Sequence, residues 1–273
     1  MNRAELLFAV LIGLVQGIVE WLPISSQGNV SIVVTLVSDI NPTVAVDLAL
    51  FVQLGTIISA SVYYRDDITE TMTAIPEWRP RTAFSTRNAE PTFIFLASAA
   101  TGIVGIPLYL TLREAVSGLA GGLFIAVIGT LLIGTGLLQR ASEAIDVERK
   151  ETPTLRDTLL VGSLQGVTIL PGVSRSGTTV SALLLRGYAG PTSLRLSFLL
   201  SIPASLGAAI LVIVTNGGLP GISPVIALIA LTTSAVVGYG TIDALMRVVA
   251  RVPFWLVCIG LGSLAVIGGL AIV

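Results

Sequence analysis

Several apolar runs in this chain exceed the ~18 residues that mark a helix crossing a lipid bilayer. Residues 91–111 and 118–138 are two of them, and neither contains a charged side chain. In hydrocarbon every backbone N–H and C=O must be bonded within the protein, so such runs fold as helices. Only 11% of the chain is charged and 53% is hydrophobic, with a mean hydropathy of +0.92. A soluble domain carries about 25% charged residues. The reading is an all-α polytopic membrane protein, and for 273 residues one packed bundle is favoured over two domains.

Composition also excludes chemistry. The chain has no histidine, which rules out His–metal clusters, Ser-His-Asp triads and phosphohistidine phosphatases. Its single cysteine, Cys258, lies in an apolar run and reads as a small core residue without an intramolecular disulfide. A net charge of −1 gives no basic face for nucleic acid. Arg3 and Glu5 precede the first apolar run without a small-residue cleavage site, so this end is expected to be retained structure.

Along the chain, residues 5–22 are apolar apart from Glu5, Gln16 and Glu20. A break follows at Pro23 and Ser25 to Asn29, and then a short arm, 30–38. Spanning helices are expected at 43–64, 91–111 and 118–138, with a polar loop at 65–90. After a second polar loop the plan recurs: an apolar arm at 157–170, a break at 171–177, a short arm at 178–189, and spans at 192–214, 222–246 and 252–272. The recurrence is literal. A shift of 149 residues superposes Gly13, Gln16 and Gly17 on Gly162, Gln165 and Gly166. It also superposes Ser25, Gly28 and Pro42-Thr43 on Ser174, Gly177 and Pro191-Thr192. Each half is a broken hairpin followed by three spans. Three is odd, so the halves lie upside down relative to each other. The expected architecture is therefore six spanning helices plus two re-entrant helical hairpins in inverted-topology repeats, 1–138 and 155–273, joined by a loop at 139–154. In such folds the interrupted segments mark a binding site near the midplane.

Charge orients this plan. The loops at 65–90 and 139–156, the segment 186–195 and the turn 247–251 fall on one side, with 12 of the 15 basic residues, Arg87 and Arg149 among them. The other side has Arg3 and Arg113, and Arg175 alone remains within the bilayer. The rich side is cytoplasmic by the positive-inside rule. Both termini are then outside; the first hairpin enters from outside and the second from inside.

Arg175 needs a partner, because a charge at the bilayer centre costs roughly 2.5–3.5 kcal/mol on insertion scales. Glu20 is the matching acid, and the two either pair structurally or share an anionic ligand. Around Arg175 stand Ser174, Ser176, Gly177, Thr178 and Thr179. Gly-rich backbone at a helix start, hydroxyls and a guanidinium fork suit phosphate oxygens; the plainer alternative is a Ser/Thr-rich kink that satisfies its own backbone. No Lys follows the glycines, so this is not a Walker loop. In the facing break, Ser25 and Ser26 are each a nucleophile, a phosphate ligand or a helix cap. Gln16 lies one turn before Glu20 on the same face. Gly13/Gly17 and Gly162/Gly166 read as helix contact faces, and Gln165 as an interhelical donor. Asp47 and Asp243 are expected to be solvated at helix ends.

Two stretches, QGIVEWLPISSQGN (16–29) and LPGVSRSGTT (170–179), resemble the signatures of the undecaprenyl-diphosphatase family of the bacitracin-resistance type. Gln53-Leu54-Gly55-Thr56 and residues 196–203 are similar to it too. The resemblance implies hydrolysis of a polyprenyl diphosphate to the monophosphate and phosphate, aided by Mg2+ or Ca2+, in a plasma-membrane protein whose site opens to the outer face. It implies a site of Gln16, Glu20, Ser25, Ser26, Ser174, Arg175, Ser176 and Thr179. The family usually has His where this chain has Asn29, and Asn cannot carry a proton at neutral pH. Glu20 is therefore expected to be the base or the metal ligand, Ser26 or a water the attacking group, and Arg175 with backbone N–H groups the stabiliser of charge. Asn29 orients. The expected partners are the diphosphate lipid and membrane lipids, and a homodimer is compatible with the sequence. A transporter of polyprenyl phosphate or another anionic lipid is the alternative from a different class.

Overall fold

A computed structural model describes residues 3–38, 40–85, 88–143, 150, 152–249 and 251–272. Of the basic residues counted for topology, Arg87 and Arg149 lie outside the described residues, as does much of the expected 139–154 loop. Eleven α-helices are described: α1 Arg3–Val19, α2 Ser26–Val37, α3 Pro42–Tyr63, α4 Arg65–Ala74, α5 Ala89–Ser117, α6 Gly121–Glu143, α7 Leu155–Val167, α8 Arg175–Leu185, α9 Gly190–Asn216, α10 Pro224–Val249 and α11 Phe254–Ala271. Six of them, α3, α5, α6, α9, α10 and α11, are long and apolar enough to cross a membrane. Among the described residues there is no strand, only an isolated bridge between Lys150 and Tyr188.

The remaining long elements form two broken pairs, α1 with α2 and α7 with α8. At 12 and 11 residues, α2 and α8 reach about 18 Å, well short of a ~30 Å hydrocarbon core. The same chemistry starts both. The Ser25 hydroxyl accepts from Gly28 N at 3.2 Å, and the Ser174 hydroxyl from Gly177 N at 3.2 Å, each satisfying a donor at the helix start. These caps explain why both arms begin earlier than the apolar pattern suggested.

Packing follows the repeat. The helix α1 lies along α10, and α7 along α5; α3 contacts α9, and α6 contacts α11. Glycines allow the close approaches. A Cβ on Gly13 would sit 2.6 Å from Ala230 O, and one on Gly17 would sit 2.9 Å from Gly238 N. Their counterparts do the same on α5, where Gly162 meets Ala97 O and Gly166 comes within 2.9 Å of Thr101 O. The small-residue pairs read from the sequence are thus the contact faces. Cys258 is fully buried, with Sγ 3.2 Å from Pro23 O.

The structure corrects two local expectations. Residues 65–90 are not simply a loop: α4 is helical, and Arg195 gathers Asp67 at 2.7 Å, Glu70 at 3.0 Å and Glu90 at 2.9 Å, pinning it to α9. Asp47 is not solvated. It is 1% exposed and accepts from Tyr109 Oη at 2.7 Å and Asn216 Nδ2 at 2.9 Å, with Arg113 Nη2 3.3 Å away. This network ties α3, α5 and α9 together at one end. Asp243 is exposed and accepts from Tyr63 Oη at 2.5 Å.

Gly162→Val should destabilise the fold by roughly 1–3 kcal/mol, because the added methyls meet the α5 backbone. Gly134→Ala, where a Cβ meets nothing within 4 Å, should leave stability unchanged or slightly raised. Thermal unfolding of the two purified variants in detergent reads the difference.

Candidate active site

The two breaks face each other. The helix α1 ends at Val19, and Glu20 N still bonds to Gln16 O at 3.0 Å. The carboxylate is therefore held just past the last helical turn, 7% exposed for the whole residue. Three side chains converge on it. Gln16 Nε2 and Ser26 Oγ each donate to Oε2 at 2.6 Å, and Arg175 Nη2 donates to Oε1. The second guanidinium nitrogen, Nη1, donates to Ser201 O at 3.3 Å and to Ser205 Oγ. The ion pair thus joins the first break to the second, and α9 holds the arginine from behind. Gln16 Nε2 also reaches Thr56 Oγ1 at 3.3 Å, which brings in α3.

The adjacent serines have different positions. Ser25 has φ 60°, which is the only positive φ outside glycine among the described residues. Such a conformation costs ~1–3 kcal/mol and persists where its surroundings impose it. Here the imposed contacts are two: Ser25 Oγ caps α2 and accepts from Gly172 N, across the interface, at 3.1 Å. Gly172 has φ 101°, and a side chain there would meet Ile128 O. Gln27 Nε2 adds a second strut to Ile169 O at 2.9 Å. Ser26 has no cap role; its hydroxyl points to Glu20. Asn29 turns its amide to Ile24 O at 2.8 Å and Ser25 O at 2.9 Å, which braces the break.

On the opposite side Ser174 caps α8, and its N–H donates to Thr135 Oγ1 at 3.2 Å. Thr179 Oγ1 donates to Arg175 O at 2.9 Å and lies 2.6 Å from Ser197 Oγ, fixing the first turn of α8. Thr178 is buried with its hydroxyl unpartnered.

A cavity of about 160 Å³ opens over this cluster. Glu20, Ser25, Ser26, Ser174, Arg175 and Ser176 line it. Gln16, Asn29, Gly177, Thr178 and Thr179 are not on its wall: they hold or abut the residues that are. Ser176 and Gly177 also line a second, mostly apolar cavity of about 240 Å³ beside Trp21 and Phe198. Sequence reasoning did not single out Ser98, Thr101 or Ser205, which line the first cavity. A lone Ser or Thr in an apolar helix is silent in sequence, since it can bond back to its own helix, as Thr101 does to Ala97 O at 2.8 Å. Among the described residues no three His, Cys, Asp or Glu side chains are placed so as to hold a metal ion between them. Gln16 Oε1 is buried without a partner, and it stands beside one carboxylate.

Six apolar helices around a charged and hydroxylated cluster define an integral membrane protein with a polar site between broken helices. The chain belongs to the family described as Bacitracin resistance protein BacA, whose profile matches residues 9–264. It is 51% identical over 267 residues, 98% of each chain, to a protein named undecaprenyl-diphosphatase from Haloarcula marismortui. Proteins of the same name from Methanococcoides burtonii and Methanothrix thermoacetophila are 38% and 35% identical, over 95% of this chain and 96% and 95% of theirs.

The serines should separate by experiment. Ser25→Ala removes a cap and a cross-break acceptor and should cost about 1–2 kcal/mol. Ser26→Ala removes one of the three donors to the buried Glu20 carboxylate but spares the cap and the cross-break contact, and should cost about 1 kcal/mol or less in unfolding of the purified protein.

Proposed function

We propose that the chain is a membrane phosphatase that hydrolyses a polyprenyl diphosphate of the undecaprenyl type to the monophosphate and inorganic phosphate. The observation that carries this is the Glu20 carboxylate, bonded by Arg175 across the break and by the Ser26 hydroxyl at 2.6 Å. Family membership and the shared name of the relatives support hydrolysis over lipid transport.

Arg175 is the phosphate clamp in this reading. Its planar fork suits two phosphate oxygens, and the start of α8 adds N–H groups and a favourable dipole. Without substrate, Glu20 neutralises it. When a diphosphate takes the fork, Glu20 is released from the ion pair and is free to accept the proton of Ser26 or of a water. The new P–O bond forms as the P–O bond to the prenyl monophosphate breaks, and that monophosphate leaves with the electron pair. If Ser26 attacks, a water then frees the phosphate from it. Charge on the transferring group is met by Arg175 and the backbone N–H groups. Ser25 and Asn29 hold the break in shape, and Ser174, Ser176, Gly177, Thr178 and Thr179 shape the facing helix start.

A divalent cation fits this donor set. Mg2+ is commonly held by one or two carboxylates together with substrate phosphate oxygens. Glu20, together with phosphate oxygens of the substrate, would hold Mg2+ or Ca2+, which would supply charge neutralisation at the phosphates.

Architecture supports the same reading. The broken pairs α1–α2 and α7–α8 serve as re-entrant hairpins, and the swapped pairings α1 on α10 and α7 on α5 suit two inverted repeats. The repeats in this reading are 1–138 and 155–273. Charge bias supports both termini outside and the connection between the repeats cytoplasmic, and the family resemblance supports a plasma-membrane location with the cavity facing outward.

Purified protein with Mg2+ or Ca2+ should release phosphate from undecaprenyl diphosphate. Glu20→Gln should abolish release, and Arg175→Lys should lower kcat/KM by about 100-fold or more, since a point charge cannot replace the fork. A fully active Glu20→Gln would remove Glu20 from the mechanism, and lipid-phosphate movement across vesicles without release would overturn the enzyme reading.

A further inference from the structure

The cavity above the Glu20–Arg175 pair changes character along its length. Along α5 its wall passes from Thr101 to Gly102 and Ile106, and along α9 from Ser205 to Gly207 and Leu211. One end is charged and hydroxylated; the other is small and apolar. That is the profile of a site for an amphiphile, with its head group at the breaks and its chain between the two helices.

The two glycines differ from those that pack helices. At Gly13, Gly17 and Gly166 an added Cβ would come within 3 Å of a neighbouring helix. At Gly102 the nearest atom would be 4.0 Å away, in the Ile106 side chain, and at Gly207 nothing lies within 4 Å. Glycine lowers helix stability, and here no helix contact compensates. Other glycines with such space, Gly134 and Gly260 for example, do not line the cavity. Gly207 is itself exposed, and Ile103 and Ile210, 75% and 51% exposed, lie beside the two glycines in sequence on α5 and α9.

A separate observation indicates that the cavity is built for an occupant. Gln165, 2% exposed, lines its polar half. Thr101 Oγ1 accepts from its Nε2 at 3.2 Å, while its Oε1 has no partner. A buried amide oxygen without a donor is costly, and a water or cation accompanying a bound head group would satisfy it.

We propose that Gly102 and Gly207 form the lateral passage through which the polyprenyl chain leaves the cavity for the lipid, and that their lack of side chains admits a methyl-branched chain. This rests on the diphosphatase reading above. Cys258 is the only cysteine and is buried, so Gly207→Cys adds one reactive thiol. Undecaprenyl diphosphate should slow its alkylation by a maleimide about tenfold, and inorganic diphosphate should not. Equal slowing by both, or by neither, overturns the passage. In turnover, Gly207→Leu should raise KM for undecaprenyl diphosphate roughly tenfold or more with kcat little changed, whereas Gly134→Leu should not. A matching KM rise in both variants, or a loss confined to kcat, also overturns it. Protection of the thiol is read without turnover. A protein that protects Cys at 207 but releases no phosphate therefore fails as a diphosphatase while the passage stands.

Discussion

One ion pair organises this molecule. Arg175 and Glu20 come from opposite halves of the chain, and neither has another partner of opposite charge among the described residues. A lone charge at this depth would be costly, so the two breaks are held face to face. The pair also gives the site its chemistry. The same guanidinium that neutralises a carboxylate can receive phosphate oxygens, and the same carboxylate receives the Ser26 hydroxyl.

The rest of the bundle sets the geometry of that meeting. The arms α1 and α7 are pressed against α10 and α5 through glycine contacts that leave no room for a Cβ. This fixes how far each arm reaches before it breaks. The polar contacts across the breaks, Ser25 to Gly172 and Gln27 to Ile169, then set the relative height of the two short helices. Away from the site, Asp47 with Arg113 and Arg195 with its three carboxylates tie helix ends together. The interior between α5 and α9 is left comparatively open.

Much of this was legible in the residues themselves. The six spans follow from uninterrupted apolar runs, and the partnership of Glu20 with Arg175 follows from the cost of isolated charge in hydrocarbon. Ser25 was readable as either cap or reactant; only its φ of 60° and its contact with Gly172 show how fully its oxygen is engaged in structure. The burial of Asp47 was not legible, because its partners Tyr109, Arg113 and Asn216 come from two distant helices. The roles of Thr101 and Ser205 were hidden for a related reason: in an apolar helix a hydroxyl bonded to its own backbone reads the same as one facing a cavity. Helix α4 escaped notice because charged side chains there suggested a loop, whereas Arg195 collects them.

Glu20 and Arg175 act as one unit across the breaks. A double-mutant cycle on the purified protein tests this most directly, with Glu20→Gln, Arg175→Gln and the double variant compared by unfolding. Removing one member leaves a buried charge without its partner, which typically costs 3–5 kcal/mol, whereas removing both is far less costly. The double variant should be more stable than either single one. Losses that simply add would contradict it.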